Sequence, residues 1–263
     1  MASTLYYFPA CPFCQRLEIL LALRGEPEEV RRCAIDLAAP RPPWLLEKTH
    51  GSTALPALEL EDGRVLKESL VLLRYLDEQL PGPPLASTTP YGRAVEGMLV
   101  RAEGDFVAAG YGLLKNRDPA LREPLRAAML AQYRRLDALL VEHAPAGPFL
   151  HGAFGWAEAV FTPFFVRFAC HAYYEGLELP YEPGYARVRA WRDACLAHPA
   201  AQQVSVEQAV KLYYDYAIGV GGGAVPPGRA RSSFVATPDW RQRPWPPRDK
   251  YGLPATDEEL GLG

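Results

Sequence analysis

Long apolar runs are missing from this chain. Its most hydrophobic neighbourhood, Ala159 to Tyr174, carries Arg167 and His171 and is too short and too polar to cross a bilayer. Metal-ligand spacing is missing too: no second Cys pair or His pair stands ready to join Cys11 and Cys14, so no metal site is expected. Cysteine is sparse and odd in number, five in 263 residues, which is not the pattern of a secreted disulfide framework. Charge of neither sign dominates. With 28 basic and 31 acidic side chains the net charge is −3, which gives no electrostatic reason to expect nucleic acid or an acidic membrane as partner. The first residues carry no basic leader, and no internal repeat is visible. These absences lead to an expectation of a soluble, cytoplasmic protein, large enough for two domains.

Against that background, Cys11-Pro12-Phe13-Cys14-Gln15-Arg16 carries the most chemistry. Leu5-Tyr6-Tyr7-Phe8 is aromatic and apolar enough for a buried strand. Leu17, Leu20 and Leu21 then repeat at helical spacing until Gly25 supplies a stop. Cys11 therefore falls where a strand passes into a helix N-terminus, with Pro12 preset for the first turn. Unpaired N–H groups and the positive end of the helix dipole favour an anion there, so the thiol should ionise below its free value of ~8.5. Cys14, one turn on and on the same side, is either a resolving thiol for a disulfide on Cys11 or a packed thiol. Cys33, Cys170 and Cys195 read as small buried hydrophobes.

Val30 to Ile35 reads as a second strand, giving a parallel strand–helix–strand unit. Trp44 to Thr49 reads as a short helical connection. Ala57–Leu60 and Val65-Leu66 flank Asp62-Gly63, a hairpin signal, and Glu68 to Gln79 places Leu72, Leu73 and Leu76 on one helical face. This order predicts an α/β thioredoxin-like domain over residues 1–80. A Pro/Gly/Ser linker follows at 81–92, then an all-α domain over 93–222, in which Leu125, Met129, Tyr133 and Leu136 mark one amphipathic helix and Val160 to Tyr174 a more buried one. From 223 to 263 the chain turns Pro/Gly/Arg-rich, which forbids long helices. Phe234, Trp240, Trp245 and Tyr251 are candidate anchors for wrapping this tail on the helical domain. Its six basic and five acidic side chains nearly cancel, which argues against a nucleic-acid arm.

In such an architecture Leu55-Pro56 faces the cysteine, and a cis bond there would offer the Leu55 backbone for strand-like pairing with a peptide ligand. Glu68-Ser69 opens the last helix of the first domain, a place for a carboxylate at the helix N-terminus and for an ammonium on Glu68. Together these match the two charges of a γ-glutamyl end. Loop-borne Arg41 can meet a second carboxylate.

These residues, in this order, resemble the glutathione transferase superfamily, near its omega-like branch, where the nucleophile is a cysteine. Six segments extend the resemblance to the bacterial glutathione lyases of lignin β-aryl-ether breakdown: Pro40–Leu46, Ser52–Pro56, Lys67–Ser69, Phe154–Glu158, Lys211–Tyr216 and Pro246–Lys250. The resemblance implies Cys11 as nucleophile, and Phe13, Arg41, Leu55, Pro56, Glu68 and Ser69 lining a glutathione site. It further implies Tyr213, Tyr214 and Tyr216 on the side of the second substrate, with Tyr216 the first candidate for a phenol donor to a developing enolate. The co-substrate implied is glutathione, with no metal, nucleotide or flavin; the partner is a small aromatic thioether, and the assembly a homodimer. The expected reaction is cleavage of an α-glutathionyl aryl ketone by attack of the Cys11 thiolate on the glutathionyl sulfur. A second glutathione then releases oxidised glutathione. The alternatives are an omega-like thioltransferase or dehydroascorbate reductase using the same thiolate, and a non-catalytic transferase-like or chloride-channel-like binding protein. Two departures stand out: Cys14 makes the motif a dithiol, and Gly155 sits where a Ser or Thr usually caps the following helix.

Overall fold

The computed structural model describes residues 3–37, 39–221 and 223–263. Four strands, β1 (Ser3–Tyr7), β2 (Val30–Ala34), β3 (Ala57–Glu59) and β4 (Val65–Lys67), form one sheet in the order β2-β1-β3-β4. β1 runs parallel to β2 and antiparallel to β3, which pairs antiparallel with β4 across the Asp62-Gly63 turn. Helix α1 (Pro12–Leu23) makes the parallel crossover, α2 (Pro43–Lys48) joins β2 to β3, and α3 (Ser69–Gln79) closes the domain. Leu17, Leu20 and Leu21 of α1 and Leu72, Leu73 and Leu76 of α3 are buried together with Leu5 and Leu58 of the sheet. Each such side chain contributes ~1.5–3 kcal/mol relative to exposure.

The second domain is helical: α4 (Pro90–Lys115), α5 (Arg122–His143), α6 (Trp156–Glu175), α7 (Ala186–Ala197), α8 (Val206–Leu212) and the single turn α9 (Tyr214–Ala217). α4 begins at Pro90, inside the stretch read as linker, because the Thr89 hydroxyl caps it by accepting the Gly92 N–H at 3.0 Å. Central to the packing is α6, buried along nearly its whole length. Gly155 at its start answers one departure seen in the sequence. A Cβ there would meet the Leu85 carbonyl oxygen at 2.9 Å, and that same carbonyl accepts the Trp156 N–H at 3.1 Å. Glu158 completes the helix start by accepting from Gly155 N–H at 3.0 Å, Leu150 N–H at 2.8 Å and Trp191 Nε1 at 2.8 Å.

The two domains share one continuous apolar core, with buried Arg16 of α1 at the seam. Its guanidinium donates to the Ser69 hydroxyl (2.9 Å), the Glu103 carboxylate (2.5 Å) and the Val160 carbonyl (3.3 Å), tying α3, α4 and α6 to α1. Beyond α9 the tail lies along the helical domain, and buried charges hold it as firmly as its aromatics do. Lys250 Nζ meets the Leu113 and Leu114 carbonyls at 2.8 and 2.7 Å and the Glu175 carboxylate at 2.5 Å. Arg229 bridges Asp215 and Asp257 at 2.6 and 2.9 Å. Phe234 is buried against Phe8, Tyr213 and Tyr216, while half-exposed Trp245 stacks on Tyr173 at 5.3 Å. No helix among the described residues is long and apolar enough to cross a membrane.

Candidate active site

The turn after β1 delivers Cys11 to the N-cap of α1 in extended backbone geometry (φ −76°, ψ 125°), with Pro12 as the first helical residue. Its sulfur lies 3.9 Å from the Leu55 carbonyl oxygen, and Leu55-Pro56 is a cis peptide. The Cys11 thiol is lowered to about 7. The largest influence is Cys14, whose S–H donates to the Cys11 sulfur; the backbone N–H groups of Cys14 and Phe13 and the positive charge of Arg167 act the same way, against burial. Cys14 is fully enclosed, and burial together with the neighbouring Cys11 sulfur pushes its thiol well above the ordinary range. Cys14 also accepts the Phe8 N–H at 3.5 Å. These surroundings favour the protonated form of Cys14 and the ionised form of Cys11. Of the other three cysteines, Cys170 and Cys195 are buried, and Cys33 is half-buried on β2.

Cys11 opens into a cavity of about 430 Å³ between the two domains and the tail, lined by aromatic side chains. Tyr213 and Tyr216 stack at 5.1 Å with planes 21° apart. Tyr111 and Phe234 each approach the Tyr216 ring at 5.5 Å. Tyr213 donates its hydroxyl to the Ala10 carbonyl at 3.1 Å, and burial raises its pKa, as it does for Tyr111. Phe13 lines the same cavity and packs edge-on against Phe164 at 5.5 Å.

Cys11, Phe13, Tyr213 and Tyr216 thus come together, with Leu55 beside the sulfur. Tyr214 does not join them: it is buried on the far side of its helical turn, where its hydroxyl accepts the Ala255 N–H of the tail at 2.7 Å. Adjacent residues on a helix project to different sides, so Tyr213 and Tyr214 cannot both face the cavity, which corrects the expectation for Tyr214. The Ser69 hydroxyl is buried and accepts from Arg16. Glu68 is exposed at the N-cap of α3 with a positive φ of 70° and makes no side-chain capping bond there. Arg41 sits in the loop before α2, donating to the Thr53 and Asp36 carbonyls at 3.3 and 3.4 Å.

Four contributors escaped the sequence reading: Arg167, Tyr111, Lys115 and Phe8. Arg167 is the most consequential. It is fully buried on α6 and donates to the Ala10 carbonyl at 2.8 Å, the Pro163 carbonyl at 3.2 Å and the Gln15 side chain, so a fixed positive charge stands behind the Cys11 turn. In the sequence it reads only as a charge breaking an apolar stretch. Its position within a buried helix was the available signal. Among the described residues no group of three or more His, Cys, Asp or Glu is placed to hold a metal ion.

A thioredoxin-like sheet with a cysteine at the first helix N-terminus, joined to a helical domain that walls an aromatic cavity, defines a two-domain thiol protein of the transferase type. The chain belongs to the glutathione transferase superfamily: residues 5–84 match the glutathione S-transferase N-terminal domain and residues 119–194 the C-terminal domain. It is 32% identical over 167 residues to glutathione S-transferase L1 of Arabidopsis thaliana, covering 63% of this chain and 66% of that one. To glutathione S-transferase omega-1 of Sus scrofa it is 24% identical over 207 residues, covering 77% and 80%. Among solved structures it resembles Leishmania TDR1, a trimeric glutathione transferase (TM-score 0.71, 28% identity, 84% of this chain, 48% of that one). The fold also matches glutathione transferase Omega 3C of Trametes versicolor (TM-score 0.66, 21% identity, 77% and 88%). The chain spans just under two thirds of the length of the plant relative and just under half of TDR1.

Proposed function

We propose that this protein is a cysteine-type glutathione-dependent enzyme, omega-like, that withdraws glutathione from S-glutathionylated small molecules. The observation that carries the reading is the Cys11 sulfur at the head of α1, lowered to about 7 by Cys14, two backbone N–H groups and Arg167, and open to the cavity. In the proposed cycle the Cys11 thiolate attacks the glutathionyl sulfur of a mixed disulfide. A Cys11–glutathione disulfide forms and the substrate thiolate leaves. A second glutathione thiolate attacks that disulfide, releasing oxidised glutathione and restoring the Cys11 thiolate. Cys14 acts as hydrogen-bond donor to Cys11 and not as resolving thiol, because attack requires a thiolate and its pKa is pushed the other way. The omega-class and plant relatives support this reading.

Glutathione would be a co-substrate held along the Leu55 backbone, with its γ-glutamyl end at the start of α3 near Glu68 and a carboxylate within reach of Arg41. Ser69 would contribute through its backbone and through a hydroxyl that accepts from Arg16 and keeps its own O–H to donate to a carboxylate.

A second reading is favoured by the cavity itself. Six aromatic rings, Phe8, Phe13, Tyr111, Tyr213, Tyr216 and Phe234, suit a flat aryl group better than a peptide disulfide. On an α-glutathionyl aryl ketone the same thiolate attack breaks the carbon–sulfur bond. The electron pair passes to an enolate, water protonates it to the ketone, and glutathione regenerates Cys11 as before. Tyr216, on the cavity wall, is the proposed donor to the enolate oxygen.

Turnover of a small glutathione mixed disulfide compared with that of an α-glutathionyl aryl ketone separates the two readings. Cys11→Ser abolishes both activities if the shared thiolate chemistry holds. Retention of substantial activity by that variant refutes it.

A further inference from the structure

We propose that Lys115 selects second substrates carrying an anionic oxygen substituent, carboxylate or phenolate, on their aromatic part. The inference rests on the reading of the Cys11 cavity as the second-substrate site and adds the chemical class of molecule that fits it. Among the described residues lining that cavity, Lys115 is the one cation, and no carboxylate lines it. Its ammonium lies 6.0 Å from the centroid of the Tyr216 ring and makes no hydrogen bond or ion pair with a described residue.

A lysine ending a helix usually serves the last carbonyls and the negative end of the dipole. At α4 that task is already taken: Lys250, arriving from the tail, donates to the Leu113 and Leu114 carbonyls at 2.8 and 2.7 Å and is itself neutralised by Glu175 at 2.5 Å. The charge of Lys115 is thus left to the aromatic cavity that Cys11 also lines. A flat ring lying against Tyr111 and Tyr216 would bring a ring substituent toward this ammonium while its reactive carbon points toward the sulfur. Walls of low polarity strengthen such a pair relative to open water.

The test measures binding of reaction-product analogues with no glutathionyl part, para-acetylbenzoate and acetophenone, to the full chain and to Lys115→Met and Lys115→Arg, by calorimetry. The wild type is expected to bind the benzoate about fivefold more tightly, the upper range for a partly exposed ion pair. Lys115→Met brings the ratio to about one, and Lys115→Arg keeps it. Para-hydroxyacetophenone, measured below and above the ionisation of its phenol, separates phenolate from carboxylate recognition. Tighter binding of the benzoate alone assigns the site to carboxylates, and a gain on phenol ionisation extends it to phenolates. No preference in the wild type, a preference that survives Lys115→Met, or binding of neither ligand overturns the proposal. Turnover of α-glutathionyl acetophenone is read separately: its absence beside an intact charge preference removes the catalytic reading and leaves the Lys115 assignment standing.

Discussion

Replacing Cys14 by alanine removes the hydrogen bond that contributes most to ionising Cys11, without touching the backbone donors or Arg167. The Cys11 thiol lies at about 7, some one to two units below a free cysteine, which corresponds to ~2 kcal/mol of preference for the thiolate. A hydrogen bond to a charged acceptor is worth ~1.5–3 kcal/mol, part of which water entering the site would restore. We therefore expect Cys14→Ala to raise the Cys11 pKa by about one unit, so that the ionised fraction at pH 7 falls from about one half to about one tenth. The rate of Cys11 alkylation by iodoacetamide, followed from pH 5 to 10 by mass spectrometry (roughly two units beyond either midpoint), reads this directly. At pH 7 it should slow about fivefold, while the rate at the alkaline plateau is preserved. Cys14→Ser, which keeps an O–H donor at the same place, should stay close to wild type. An unmoved midpoint in Cys14→Ala, or an equal rise in both variants, would refute the donor role. Collapse of turnover at alkaline pH, where Cys11 is fully ionised in any variant, would instead assign Cys14 to an intramolecular disulfide cycle.

Three other outcomes follow from the same geometry. Tyr216→Phe should lower kcat for an α-glutathionyl aryl ketone by about a hundredfold if its hydroxyl stabilises an enolate, and should leave a mixed-disulfide substrate far less affected. Steady-state kinetics on both substrates decides it. Lys250→Met breaks an ion pair in which both side chains are fully buried; denaturant titration should show a loss of about 3 kcal/mol, and limited proteolysis should cut the tail first. His171 is buried against the Gly110 carbonyl and lowered to about 4 by burial. Its folded value lies below its unfolded value of ~6.5, so the unfolded chain binds the extra proton between those values, and stability is lost as pH falls from about 6.5 toward 4, by up to about 3 kcal/mol. Glu18, raised to about 7 by burial, changes stability in the opposite direction over part of this range. The difference between wild type and His171→Gln across pH therefore isolates the histidine, and a constant difference would contradict it.

Local pattern carried most of the architecture. Pro12 at the first turn of α1, the Leu17/Leu20/Leu21 spacing, the Asp62-Gly63 hairpin and the Leu72/Leu73/Leu76 face are signals that need no partner to be read, and each corresponds to an observed element. Side-chain roles that depend on a distant partner were not legible in this way. Arg167 becomes meaningful only when α6 is laid against the Cys11 turn, 156 residues earlier in the chain. The contribution of Lys250 to the tail depends on Glu175 and on the end of α4, neither of which its own neighbourhood announces. Tyr213, Tyr214 and Tyr216 could not be apportioned from sequence, because the break between α8 and α9 at Tyr213 sets which ring meets the cavity and which meets the tail. Aromatics suggested how the tail is anchored; buried arginine and lysine do much of the anchoring.

The central claim is that one sulfur, Cys11, receives glutathione. Intact-protein and peptide mass spectrometry after brief exposure to a glutathionylated substrate, quenched before excess glutathione is added, tests it most directly. The account predicts a single glutathione adduct located on Cys11, lost on adding glutathione and absent from Cys11→Ser. Substrate consumed with no adduct on Cys11, or an adduct on another cysteine that persists in Cys11→Ser, would contradict it.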